Sequence, residues 1–202
     1  MLNDKERATA AEVQQRLRRT VSVIRANPNL SPQGKRSAIA RATLEARAGM
    51  AELRSASDAR DSARRADLEF RLFGLGTKDG STDVLAARDA RDRASQIKTP
   101  GEAAQLLAGA NRAGDTSMAR AIFERAWDQA PADPGAHWAD VARTYLDNRP
   151  AAQRDAAELA GLLDGTSADR FADRVATEIL PPDEVKAGNL EALAAEPGDG
   201  TA

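Results

Sequence analysis

The sequence predicts an all-α protein: an N-terminal helical hairpin with one very long helix, a glycine hinge, then a small α-helical bundle. Three observations predict it. Apolar residues recur at steps of three and four along most of the chain, the period of one helix face. Ala, Arg, Glu and Leu, all good helix formers, dominate the long uninterrupted segments. Prolines and most of the glycines gather between those segments or at their ends. Aromatic residues are only 3% of the 202, and much of the 42% hydrophobic content is alanine. Helices that approach closely through small side chains are therefore expected, in place of a core of large interlocking ones.

From Asp4 to Ala26 the residues Ala10, Val13, Leu17, Val21 and Ile24 form one apolar stripe. The stretch NPNLSP ends that helix, since Pro28 disfavours helical backbone at Asn27. Ser31 and Pro32 read as N-cap and first position of the next helix. No proline interrupts the chain from there to about Phe73, a run that would span about 64 Å at 1.5 Å per residue. Its inward face is expected to hold Ile39, Ala42, Ala46, Gly49, Met50, Leu53, Ala56 and Ala63, an alanine-weighted seam.

Three glycines lie in FGLGTKDGSTDV, residues 73–84. A phosphate-binding loop needs Gly-Lys-Ser/Thr between a strand and a helix, whereas here Lys78 follows Thr77 and a helix precedes. A hinge at 74–81 is the expectation. Thr82 then caps a helix reaching about Lys98, with Val84, Ala87, Ala94 and Ile97 inward. Thr99, Pro100 and Glu102 form a capping-box start for a helix to about Arg112. The resulting division is a basic arm at 1–73, the hinge at 74–81, an acidic bundle at 82–180 and a flexible tail at 181–202.

Ala103, Leu106, Leu107, Ala110 and Gly114, followed by Ala119, Phe123, Ala126 and Pro131, fall at the spacing of a tetratricopeptide repeat. This segment, about 99–132, resembles one such helical hairpin. Trp138, Val141, Ala142 and Tyr145 continue like the first helix of a second repeat, but Arg149-Pro150 and the following AAQRDAAELAGLLDG depart from the pattern. A helix from about Ser167 to Leu180 then aligns Phe171, Val175 and Ile179, and Pro181-Pro182 closes it. Beyond it the chain is polar apart from a short Leu190/Leu193 patch and is expected to be loosely attached.

Charge is uneven along the chain. Residues 1–73 carry 15 basic and 9 acidic side chains, and residues 74–202 carry 14 and 22, within a net charge of −2. Arg16, Arg18, Arg19, Arg25, Lys35, Arg36, Arg41, Arg47 and Arg54 make a basic arm for an acidic partner, either nucleic acid or the acidic half of a neighbouring copy. Glu45, Glu52, Asp58 and Asp61 interrupt that face, and no stacking aromatics accompany it. The bundle offers Trp127, Trp138 and Tyr145 as docking residues, with completion of the core as the competing role for the two tryptophans.

Chemistry is sparse. The chain has no cysteine and a single histidine, His137, which reads as a helix-start residue. Thiolate chemistry and a Cys/His zinc site are excluded on that count. Acid pairs such as Asp89/Asp92 and Asp169/Asp173 sit at spacings usual for solvated helix faces, and Ser117 and Ser167 lie near helix starts without a base. No enzyme, cofactor or metal is expected. No apolar run is long enough to cross a membrane, and MLNDKERATA is too polar for a secretory leader, so the expectation is a cytoplasmic protein.

Residues 24–53, IRANPNLSPQGKRSAIARATLEARAGMAEL, resemble the opening of small helical proteins in tailed-phage structural modules, often of actinobacterial phages. The excess of arginine over lysine suits a GC-rich genome of that kind. The resemblance implies virion assembly, with scaffolding or head morphogenesis ahead of a tail or connector role, in the host cytoplasm or the virion. The leading expectation is a non-enzymatic assembly protein that presents helical faces to partner proteins, itself or a capsid protein included. A nucleic-acid-associated accessory protein and a tetratricopeptide-like peptide-binding adaptor are the alternatives.

Overall fold

The structure, a computed structural model, describes residues 2–74, 81–165, 167–186 and 188–196. Among the described residues there are nine α-helices, one 3-10 turn and no strand, an all-α fold. The helices are α1 (Asp4–Ala26), α2 (Pro32–Phe73), α3 (Ser81–Ser95), α4 (Pro100–Ala113), α5 (Thr116–Gln129), α6 (Trp138–Leu146), α7 (Pro150–Leu163), α8 (Ser167–Thr177) and α9 (Leu190–Ala195), with the 3-10 turn at Asp183–Val185.

Local chemistry sets these boundaries. Asn3 and Glu6 exchange side-chain and backbone hydrogen bonds at 2.9 and 2.8 Å, a capping box that starts α1. Ser31 accepts the Gly34 amide at 3.0 Å and starts α2, as its Ser-Pro sequence predicts. Thr99 caps α4 through the Glu102 amide at 3.3 Å, but the Glu102 carboxylate accepts from the Lys98 amide, one residue beyond the N-cap amide that a true capping box would use. Gly114, at φ 69°, turns α4 into α5 through the left-handed region that glycine enters without cost.

The chain forms two units, residues 1–62 with 165–202, and residues 63–164. This differs from the expected division. The first boundary falls inside α2 rather than at the glycines, and the C-terminal segment belongs with the N-terminal hairpin. Of the expected hinge, residues 75–80 lie outside the described residues. Gly74 itself closes α2: its amide bonds Phe70 O at 2.8 Å, and a Cβ there would meet that oxygen at 2.4 Å.

In the first unit α1 and α2 run antiparallel. Ala10 meets Ala46 and Met50, and Val21 meets Ile39 and Ala40. The stripe read from the sequence holds for Ile39, Ala46 and Met50, whereas Ala56 and Ala63 are exposed. The expected loose tail is instead packed as far as Glu196: Val185 and Leu190 are buried with Val21, Ile39 and Ala40, and Ile179 with Ala10, Ala46 and Met50. Along α8 the aligned Phe171 and Val175 are 67% and 52% exposed, and of the three only Ile179, beyond the helix, turns in. Residues 1–62 carry 12 basic and 7 acidic side chains, and residues 165–202 carry 3 and 8, so the two stretches neutralise each other.

The second unit is organised around α5, which packs on α3, α4 and α6, while α7 lies against α6. Met118, Ala119, Ala121, Ile122, Phe123 and Ala126 are all buried, so α5 is covered on most sides. Leu68 and Leu72 of α2 complete the core, as do Ala94 and Ile97, while Val84 and Leu106, expected inside, are exposed. Two guanidiniums finish the C-terminal end of α2: Arg91 donates to Phe73 O at 2.6 Å and Arg120 to Gly74 O at 2.7 Å. Cations at this end also oppose the negative pole of the helix dipole. Both tryptophans and the single tyrosine lie in this unit.

Candidate functional site

The second unit carries an apolar groove of about 320 Å³ where α5, α6 and α7 meet. Trp127 and Ala130 form one wall. Ala139, Ala142 and Leu146 of α6 and Ala156, Ala157 and Ala160 of α7 form the rest, with Arg143 and Gln153 as its polar members. Alanine at each of these turns keeps the helices low, so the surface between them is concave and apolar. A groove of this kind takes bulky side chains from a helix laid along it.

The aromatic residues behind the groove fix its geometry. The Phe123 ring stacks on Tyr145 with centroids 4.5 Å apart and planes 10° apart, and on Phe73 at 5.4 Å. Trp127 meets Phe123 edge-on at 6.0 Å, which leaves it half-buried and part of the groove wall. Arg149 lies over the Tyr145 ring, 4.0 Å from its centroid. Of the three residues expected to dock a partner, Trp138 and Tyr145 are 4% and 7% exposed and belong to the core. Trp127 alone keeps an accessible position. The stacking that buries Tyr145 involves Phe123 from another helix and is invisible in a one-dimensional pattern.

The basic arm separates into two sets. Arg16, Arg18, Arg19, Arg36 and Arg54 are exposed and have no ion-pair partner among the described residues. Arg25, Arg41 and Arg47 are engaged inside the first unit. Arg25 makes a two-pronged bond to Glu184 at 2.6 and 3.0 Å. Arg41 donates to Ser37 Oγ of its own helix at 2.8 Å, and Arg47 to Ile179 O at 3.5 Å. The Arg25 hydrogen bond holds the Glu184 carboxyl below its ordinary range.

Gln14, Ser37, Asp173 and Glu184 also act in this unit, and no periodic pattern along the chain marks them. Asp173 accepts Arg7 at 3.1 Å and the Leu2 amide at 2.9 Å. Gln14 donates to Ala176 O at 3.0 Å, and Ser37 donates to Glu196 O at 2.9 Å.

His137 starts α6 in a left-handed conformation, φ 63°, and its Nδ1 lies 3.0 Å from Asp140 Oδ2. That hydrogen bond, ahead of Arg143, draws the Asp140 carboxyl below its ordinary range. Among the described residues no three His, Cys, Asp or Glu side chains are grouped to hold a metal ion, and no helix is long and apolar enough to cross a membrane. Compared with family models, curated proteins and solved structures, the chain matches none.

Proposed function

We propose that this protein is a non-enzymatic assembly protein that works by offering helical surfaces to other proteins, a second copy of itself first among them. The observation that carries the reading is the alanine-lined groove over Trp127. Apolar surface so nearly free of polar atoms is stabilised by covering it, at roughly 25 cal/mol per Å² of buried apolar area.

The finer reading is virion assembly, scaffolding or head morphogenesis, with a capsid protein as a further partner. It is supported by the resemblance of residues 24–53 to helical proteins of tailed-phage structural modules. A tetratricopeptide-like adaptor is the alternative that α4 and α5 favour, since both helices and the Gly114 turn fall at repeat spacing. The nucleic-acid reading rests on the five exposed arginines without ion-pair partners. It is weakened by the acidic stretch 165–202, which balances the charge of residues 1–62.

Sedimentation velocity over a concentration series tests the assembly reading, with Ala157→Glu as the variant. Ala157 is exposed on the groove wall, so a carboxylate there disturbs the groove and not the core. The wild-type protein is expected to associate as concentration rises, and the variant to associate at least about tenfold more weakly, the equivalent of 1.4 kcal/mol. A wild-type chain that stays monomeric throughout, or a variant that associates equally well, overturns the reading.

A further inference from the structure

The segment from Asp173 to Glu196 lies on the α1/α2 hairpin in the manner of a bound peptide. Its contacts keep chain order: Asp173 with Arg7, Ala176 with Gln14, Glu184 with Arg25, then Glu196 with Ser37 at the start of α2. From Arg7 to Arg25 the helix advances about 27 Å. Over the same distance the segment uses the last turn of α8 and then residues 178–182, which have no regular structure. Three apolar side chains, Ile179, Val185 and Leu190, enter the hairpin at spacings of six and five. Several of the remaining contacts are side-chain bonds to the segment's main-chain oxygens, at Ala176, Ile179 and Glu196. Spaced apolar anchors, main-chain capture and flanking charge pairs are the physics of linear-segment recognition.

We propose that the α1/α2 hairpin is a docking surface for an acidic segment of this pattern, and that residues 173–196 of a second copy are its partner in trans. Charge complementarity argues for that occupant: residues 1–62 hold five more basic than acidic side chains, and residues 165–202 hold five more acidic than basic ones. The surface that holds a chain's own segment presents the same partners to the identical segment of a neighbour, and exchange then joins copies reciprocally. This inference rests on the assembly reading but not on the groove.

The test uses two full-length charge-reversed proteins, each also carrying Ala157→Glu so that the groove does not contribute. One has Arg7→Glu and Arg25→Glu, the other Asp173→Arg and Glu184→Arg. Alone, each sets like charges against each other, and its segment is expected to become sensitive to limited proteolysis between residues 165 and 196. Mixed, the reciprocal dimer restores four opposite-charge pairs. At about threefold per pair, the hetero-association constant should exceed that of either protein alone on the order of a hundredfold. Native mass spectrometry should show a one-to-one dimer in which protease protection returns. A mixture that stays monomeric and unprotected overturns the proposal. So do segments that remain protected in the separate proteins, because charge would then not be what holds them. If a double variant fails to fold, the single-pair proteins, one with Arg25→Glu and the other with Glu184→Arg, restore two pairs when mixed, and the expected gain is about ninefold with the same return of protection.

Discussion

Phe123 is the residue on which the second unit turns. It is fully buried and stacks on Phe73 and Tyr145. Phe123→Ala would leave a cavity between three helices and is expected to destabilise this unit by about 3–5 kcal/mol in urea unfolding. Two glycines show how backbone alone decides a sign. Gly114 sits at φ 69° with nothing within 4 Å of the place a Cβ would occupy, so Gly114→Ala meets only backbone strain and is expected to cost about 1–2 kcal/mol. Gly161 lies within α7 with equally open surroundings, and there Gly161→Ala should stabilise by about 0.5–1 kcal/mol. Thermal or urea midpoints of the two variants moving in opposite directions would check both.

Helix ends were the most legible elements. Asp4–Ala26, the Ser31-Pro32 start of α2 and the turn at Gly114 follow from caps and turn residues acting within three or four positions. Docking of the C-terminal segment was not legible. Its anchors at 179, 185 and 190 have no period, and its partners lie more than 130 residues away. The two guanidinium bonds that finish α2 were hidden for the same reason. Of the candidate site, Ala142 of α6 and the Trp127 position could be read. The burial of Trp138 and Tyr145 required knowing which helices surround them.

The docked segment also sets a pH response. Arg25 donates to Glu184 and holds its carboxyl below the ordinary value of 4.5, with Asp183 adding to the field on Arg25. A carboxylate depressed in the folded state contributes stability that is complete above its unfolded value and is lost as pH falls through the folded one. Amide protection factors over residues 183–193 are therefore expected to stay level from about pH 5 to 8 and to drop below about pH 4. Protection that instead fell on the alkaline side would contradict this pairing.

At the scale of the whole molecule, the charge asymmetry visible along the sequence is largely cancelled within the first unit, because the acidic end of the chain belongs with the basic beginning. The surplus of arginine in the first 73 residues is thus a poor guide to the charge that a partner meets. The distribution of ring chromophores has a practical consequence. With every tryptophan and tyrosine in residues 63–164, intrinsic tryptophan and tyrosine fluorescence watches one half of this protein and is blind to the other. An emission-monitored melting curve describes that half alone, and an observer following the docked segment must attach a label or read the peptide backbone.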